Sequence, residues 1–474
     1  MTYSELKQFP LARFAGGLYN HNRSAMRLFG TSGIRGIVGE DITPELCWDV
    51  GRALGTLLVP GSTVCMAMDS RLSREAIRDA VTDGLVRAGV NVTHLGILPT
   101  PVLAFLTRER EFDAGLMITA SHNPPEYNGI KIFNPDAIGY SRQQEDEIED
   151  CFRRKNFRTG ALPGAVYRDA DAVESYFQRV ISLFGARSFN RDLKVLVDPG
   201  NGAASGFATS LFKRLGIDTI PLNDEPDGNF PGRASEPTAE TLDGTVEFLN
   251  ETGADLAVCF DGDADRVVFC DREGFLGFTE MATFISSLVI RESGTRRVAA
   301  TIEVGKLLDL AVEEMGGDVV RGKVGDVHLA HLVREQGAAI GVEDVGVYII
   351  PGMGYYPESM VAALTLLSEV ESPLEIRDFI NRFPRFYTAR KKLPFPNESK
   401  ENVMKLVEQG ASSLGSKGIQ AIDGVRLDFD EGWLLIRPSG TEPVIRVMGE
   451  ADSPERAQAL LDCGIKLVEK AAGG

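Results

Sequence analysis

Three aspartates at alternate positions, Asp261-Gly-Asp263-Ala-Asp265, and a serine beside a histidine, Ser121-His122, are the residues here best suited to chemistry. The aspartates lie between two apolar runs, Leu256–Phe260 and Val267–Cys270. In an extended segment such alternate positions share one face. Carboxylates crowded in this way repel one another unless a cation compensates them. All-oxygen ligation without His or Cys suits Mg²⁺ rather than zinc. A solvated acidic turn is the bland alternative, and apolar strands on both sides disfavour it.

The serine stands in Thr119-Ala-Ser121-His122-Asn-Pro124, after the apolar run Ala114–Ile118 and before Asn128-Gly-Ile-Lys131. Ligands collect at strand ends in α/β sheets, so an exposed serine presented there suits a nucleophile. A Ser-His pair alone reads more readily as a polar turn between two strands, and the rest of the chain is what favours the nucleophile. Two further loops offer anion contacts. Gly30-Thr-Ser-Gly-Ile-Arg35-Gly36 sets glycines around an arginine, and Arg437-Pro-Ser439-Gly440-Thr441-Glu-Pro-Val-Ile-Arg446 supplies two guanidiniums, two hydroxyls and a glycine backbone. Both inventories suit phosphate. A divalent ion beside a serine points to phosphoryl transfer. A remote second phosphate anchor points further, to a mutase that adds a phosphoryl group at one end of its substrate and removes one from the other.

The elements that must position these groups alternate in α/β fashion. Val64–Met68 and Asn91–Leu98 read as strands, and 73–89 reads as a helix with Ile77, Val81 and Leu85 on one face and Ser73 as its cap. Arg142–Arg154 reads as a charged, exposed helix, and Gly160–Gly164 as a boundary. A second unit holds helix 172–183, strand Leu193–Val197 and the turn Asp198-Pro-Gly-Asn-Gly-Ala-Ala-Ser-Gly206. That turn matches no nucleotide-binding pattern, so tight packing explains its glycines better. Residues 226–237, PDGNFPGRASEP, form a turn-rich loop of a kind more often functional than idle. A third unit runs to about Phe386, with Lys323 and Glu343 just beyond apparent strands or turns. The last unit reads α-β-β-β-α, with strands 421–429 and 433–436.

Composition narrows the class. With 474 residues the chain is long enough for three or four domains. Its formal charge of −18 and pI near 4.9 argue against nucleic acid or an anionic membrane as partner. No apolar stretch reaches the ~18 residues of a membrane span, and no secretory signal opens the chain, so a cytoplasmic location is expected. The six cysteines are scattered without a C-x-x-C pair and read as reduced thiols.

FGTSGIRG, TASHNPPEYNGIKIFN, DGDADR, KVGD and RPSGTEPVIR stand here in the order seen in the α-D-phosphohexomutase family, which the chain resembles from Met26 onward. The resemblance implies an α/β architecture of three similar mixed-sheet domains plus a smaller C-terminal α+β domain around a central cleft. The domains would be 26–164 with a phosphoserine loop, 165–272 with the metal loop, 273–386 with a sugar-recognition loop, and 387–474 with a phosphate loop. Residues 1–25 would be an extension, either a disordered arm or an upstream start-site artefact.

The resemblance further implies interconversion of hexose 1-phosphate and 6-phosphate through a phosphoserine enzyme and a bisphosphate intermediate. Ser121 would carry the phosphoryl group, and Asp261, Asp263, Asp265 and a Ser121 oxygen would hold Mg²⁺. Arg35, His122, Lys131 and Arg266 would line the reacting end, and Lys323 and Glu343 would meet the sugar. Arg437, Ser439, Gly440, Thr441 and Arg446 would clamp the other phosphate. Hexose 1,6-bisphosphate would be the activator, and the protein a monomer or homodimer. Glucosamine phosphate is the first-choice substrate, with mannose, glucose or pentose phosphates as alternatives. Two positions depart from the family pattern: Val345 in Gly341-Val-Glu343-Asp-Val345-Gly-Val347 replaces a hydrogen-bonding residue, and Val327 stands where relatives carry a basic one. Readings from other classes are a phosphatase or phosphotransferase using Ser121, and a non-catalytic sugar-phosphate-binding paralogue.

Overall fold

The computed structural model describes residues 27–30, 33–160, 162–169, 171–440 and 442–473. Expectations about residues 1–25 and Thr441 lie outside them. The described residues form four sheets. The first three are mixed, and each repeats one device: parallel strands ending in an antiparallel hairpin. In the first, Ala114–Ile118 runs parallel to Thr63–Met68 and antiparallel to Tyr127–Phe133. In the second, Leu256–Phe260 stands likewise between Lys194–Asp198 and Val267–Asp271. In the third, Ile340–Glu343 stands between Arg297–Thr301 and Val347–Ile349. The serine loop, the metal loop and Glu343 therefore occupy the same topological place in successive sheets. The fourth sheet is antiparallel, and its Gly432–Pro438/Val444–Ala451 hairpin carries the loop expected to bind phosphate.

Strands buried on both faces read as continuous apolar runs, as AGLMI and LAVCF do, because helices cover both sides. One apolar core runs through the first three units. Helices Thr100–Glu109, Ala172–Phe184 and Ser359–Glu369 meet there, with Phe105 edge-on to Tyr176 at 5.5 Å. The fourth unit has its own core and joins the third through a small cluster of Ile302, Trp433, Leu435 and Met448.

Local structure differs from the sequence reading in specific places. Ser73 precedes helix Arg74–Arg87, but its hydroxyl makes no cap bond and accepts instead from Asn128 Nδ2. Strand Val166–Arg168 pairs with Asn91–Ile97, so the first sheet closes past the boundary expected at 164. Gly274–Leu276 likewise extends the second sheet past 272. The final unit opens with an unforeseen strand, Tyr387–Pro394, whose sequence YTARKKLP is polar because it forms a charged sheet edge. The stretch read as one strand over 421–429 is only Val425–Asp428, because Gly424 turns the chain at φ +82°.

The shared core also encloses a carboxyl. Glu358 is 0% exposed, accepts from the Tyr176 hydroxyl at 2.6 Å, and leaves Oε2 without a hydrogen bond. Burial pushes its pKa up to about 7 from 4.5. Its folded form therefore holds a proton that the unfolded chain releases, and that contribution to stability is lost as pH rises from about 4.5 through 7. Glu358→Gln should remove this dependence. Urea unfolding at pH 5 and pH 8 should show the gap between variant and wild type moving by on the order of 3 kcal/mol in the variant's favour. An unchanged gap would count against the buried acid.

Candidate active site

Ser121 adopts φ +49°, the left-handed region, which costs a non-glycine residue roughly 1–2 kcal/mol. Contacts on every side hold it there. Its N–H donates to Thr119 Oγ1 at 2.8 Å, and its carbonyl accepts from Arg71 Nη2 at 2.9 Å. Its Oγ donates to Asp261 Oδ2 at 2.7 Å and lies 3.3 Å from His122 Nδ1. The expectation of an exposed serine is corrected, since Ser121 is only 1% exposed. The cover comes from the metal loop of the second sheet. Gly262 lies so close that a Cβ there would stand 2.4 Å from the Ser121 carbonyl oxygen.

The metal loop is not extended either. Asp261–Asp265 curls through turns, with Ala264 at φ +56°, and it is this curl that gathers the carboxylates. One oxygen from each of Asp261, Asp263 and Asp265 lies within 4.8 Å of the others. Thr100 fixes Asp263 twice, its Oγ1 donating to Oδ2 at 2.7 Å and its N–H to the carbonyl at 2.9 Å. Lys131 Nζ donates to Asp263 Oδ2 at 2.7 Å and to Asp265 Oδ2 at 2.5 Å. Burial first, then the charges of Asp265 and Asp263, push the Asp261 pKa well above the carboxylate range. Burial acts on Asp263 in the same sense, but Lys131, Thr100 and Arg35 outweigh it and hold that pKa down. Asp263 Oδ1 and Asp265 Oδ1 are buried without hydrogen bonds. Unanswered carboxylate oxygens are costly inside a protein. A crowded all-oxygen set with spare lone pairs fits a hard divalent cation such as Mg²⁺.

Cationic groups complete this end. Arg35 Nη1 donates to Asn123 Oδ1 at 3.4 Å, while its buried Nε has no partner. Arg266 lies 3.9 Å from both Asp265 and Glu236, and its backbone N–H donates to Asp261 Oδ1 at 3.2 Å. Burial first, then Arg266 and Arg35, drive the His122 pKa down to about 2, so its imidazole is neutral.

A second cluster sits in the fourth sheet. Arg437 and Arg446 are cross-strand partners. Arg437 pairs with Glu303 at 2.9 Å and Asp423 at 3.2 Å, and Arg446 pairs with Glu442 at 2.6 Å. The Nε of each is buried and without a partner. Two guanidiniums side by side with spare donors make an anion cradle. Ser439 is buried beside them, its carbonyl accepting from Lys400 Nζ at 2.8 Å, and Gly440 is exposed.

Between the clusters, Glu343 accepts from the Gly325 N–H at 2.8 Å, and burial, then Asp326, raises its pKa to about 7. Lys323 is exposed just past strand Asp318–Gly322. Val345 and Val327, the two departures from the family pattern, pack against one apolar cluster with Ile138, Leu329 and Val347. Sequence reasoning missed Asp69, Arg71, Thr100, Asp326, Glu303 and Lys400. Asp69 and Arg71 directly follow strand Thr63–Met68, and that position was the available signal.

Four family profiles match in order. They are described as phosphoglucomutase/phosphomannomutase alpha/beta/alpha domains I, II and III, at residues 26–159, 174–274 and 280–385, and the C-terminal domain, at 392–463. A protein named "Probable phosphoglucosamine mutase" from Methanopyrus kandleri is 39% identical, over 94% of this chain and 98% of its own. A phosphoglucomutase/phosphomannomutase from Thermococcus kodakarensis is 36% identical, over 94% of this chain and 100% of its own. A crystal structure of a phosphoglucomutase/phosphomannomutase family protein from Burkholderia thailandensis superposes with a TM-score of 0.85 at 28% identity, covering 94% of this chain and 98% of that one. The chain thus belongs to the phosphoglucomutase/phosphomannomutase family, whose members are phosphosugar mutases.

Proposed function

We propose that the protein interconverts the 1- and 6-phosphates of glucosamine through a phosphorylated Ser121. The observation that carries this reading is the Ser121 oxygen set 2.7 Å from Asp261, in a carboxylate cluster where Asp263 Oδ1 and Asp265 Oδ1 are left without hydrogen bonds. Mg²⁺ held by Asp261, Asp263, Asp265 and a Ser121 oxygen would supply charge neutralisation to the phosphoryl group. Arg35, with a free Nε, and Arg266 bind the phosphoryl oxygens. The proton of the sugar hydroxyl passes to the neutral His122, while Lys131, kept charged by Asp263 and Asp265, steadies the negative charge on the transferring group. Arg437, Arg446 and the 439–441 loop grip the phosphate that does not react. After the first transfer the bisphosphate turns end for end, and the opening this requires would part the third and fourth units at contacts such as Arg437–Glu303 and Arg390–Asp344. Hexose 1,6-bisphosphate from solution rephosphorylates the serine when an intermediate escapes.

Support for glucosamine comes from the named relatives and from charge. Glu343 and Asp326 would bring two carboxyl groups to the sugar, a setting whose negative charge would favour the 2-ammonium of glucosamine over a 2-hydroxyl. The Thermococcus kodakarensis relative supports glucose and mannose phosphates as the second reading. ³¹P NMR with Mg²⁺, a trace of hexose 1,6-bisphosphate and a panel of 1-phosphates separates them. Glucosamine 1-phosphate should convert fastest, and faster conversion of mannose or glucose 1-phosphate would favour the second reading. Net release of inorganic phosphate would point to a phosphatase.

A further inference from the structure

The serine loop wraps around a single side chain that no step above uses. Arg71 is 0% exposed, and all five of its N–H donors are engaged. Nε donates to Asp69 Oδ2 at 3.0 Å. The other four go to carbonyls of one short stretch: Ser121 at 2.9 Å, Tyr127 at 2.8 Å, and Asn123 and Pro124. Asp69 in turn accepts from Thr119 Oγ1 at 2.7 Å, and that hydroxyl accepts from the Ser121 N–H. Both ends of the strained serine backbone are thereby tied to one Asp69–Arg71 pair.

The 226–237 loop closes over this pair from the second sheet. The Phe230 ring lies 5.1 Å from the Arg71 guanidinium carbon. Gly228 approaches so closely that a Cβ there would stand 2.4 Å from the Leu72 nitrogen. Ser235 Oγ donates to the carbonyls of His122 at 2.8 Å and Asn123 at 2.9 Å. The loop that looked functional on composition alone thus packs on the back of the serine loop.

We propose that Arg71, caged by residues 226–237, is a positioning residue that holds Ser121 in its left-handed conformation with Oγ aimed at the metal loop. This rests on Ser121 being the phosphoryl carrier. A planar fork with five donors can answer four carbonyls and a carboxylate at once, whereas a lysine, with three donors at one point, can keep the charge pair with Asp69 but not the whole set.

The test is Arg71→Lys in the full-length protein, with Ser235→Ala and Phe230→Leu as gentler variants should the first fail to fold. For Arg71→Lys, kcat should fall about 100-fold or more, with KM for the phosphosugar within about threefold, because the phosphate cradle lies in another sheet. Phosphate uptake on Ser121 from hexose 1,6-bisphosphate, followed by intact mass, should slow to the same degree. Ser235→Ala and Phe230→Leu should shift kcat in the same direction by about tenfold. Hydrogen exchange should quicken over residues 120–128 and stay unchanged over 261–266. A kcat within threefold of wild type would overturn the proposal, as would a loss explained wholly by a smaller folded fraction or carried by KM. Wild-type protein that neither turns over nor takes phosphate on Ser121 would instead overturn the carrier reading, and the positioning role with it.

Discussion

Ser121→Ala should abolish mutase turnover, by about 10⁴-fold or more, while the protein melts within a few degrees of wild type. The asymmetry follows from what the hydroxyl touches. Its hydrogen bonds go to Asp261 and His122, both at the reacting end, and the main-chain bonds to Thr119 and Arg71 survive the change. Alanine meets the same backbone strain as serine, so the loop keeps its shape. Circular dichroism melts alongside ³¹P NMR turnover make the comparison, and turnover within tenfold of wild type would sink the phosphoserine mechanism.

Asp261→Asn should produce the second large effect, a loss of about 10³-fold in turnover, with an unusual stability signature. In the chelator-treated protein, Asp261 is a buried carboxyl crowded by Asp265 and Asp263, and its folded pKa stands above the ordinary 3.8. Folding therefore favours the protonated form, and the stability it contributes is lost as pH rises above about 3.8 through the raised value. Asparagine removes that burden, since its amide can still meet Ser121 and the Arg266 N–H. Without metal the variant should melt above wild type at pH 8. Adding Mg²⁺ should raise the wild-type melting temperature, by about 2.7 kcal/mol of stability at a hundredfold excess over Kd, and leave the variant nearly unmoved. Equal Mg²⁺ responses in the two proteins would remove Asp261 from the ligand set.

The serine loop, the three aspartates and the two anchor arginines were legible as residue types, because phosphate and divalent-cation chemistry draws on few side chains. Their support was not. Arg71, Thr100 and Lys400 act through backbone carbonyls or across units, and any polar residue after a strand looks the same until the partner chain segment is placed. Tyr387–Pro394 was missed for a related reason: a charged edge strand carries no apolar alternation.

Local sequence is enough to specify the three-carboxylate loop between buried strands, the Gly-rich anion loops and the alternating α/β order, because each rests on neighbours within a few residues. The burial of Ser121 belongs to tertiary structure, since its cover, Gly262, arrives from another sheet. So does the pairing of Arg437 with Glu303, a carboxylate just past a strand of the third sheet. The first three sheets place equivalent hairpins at equivalent positions, and only their packing on a common core brings the serine to the carboxylate cluster. Spacing along a chain encodes which groups are near in sequence, whereas distance between loops more than a hundred residues apart is set by the shared core on which their sheets stand.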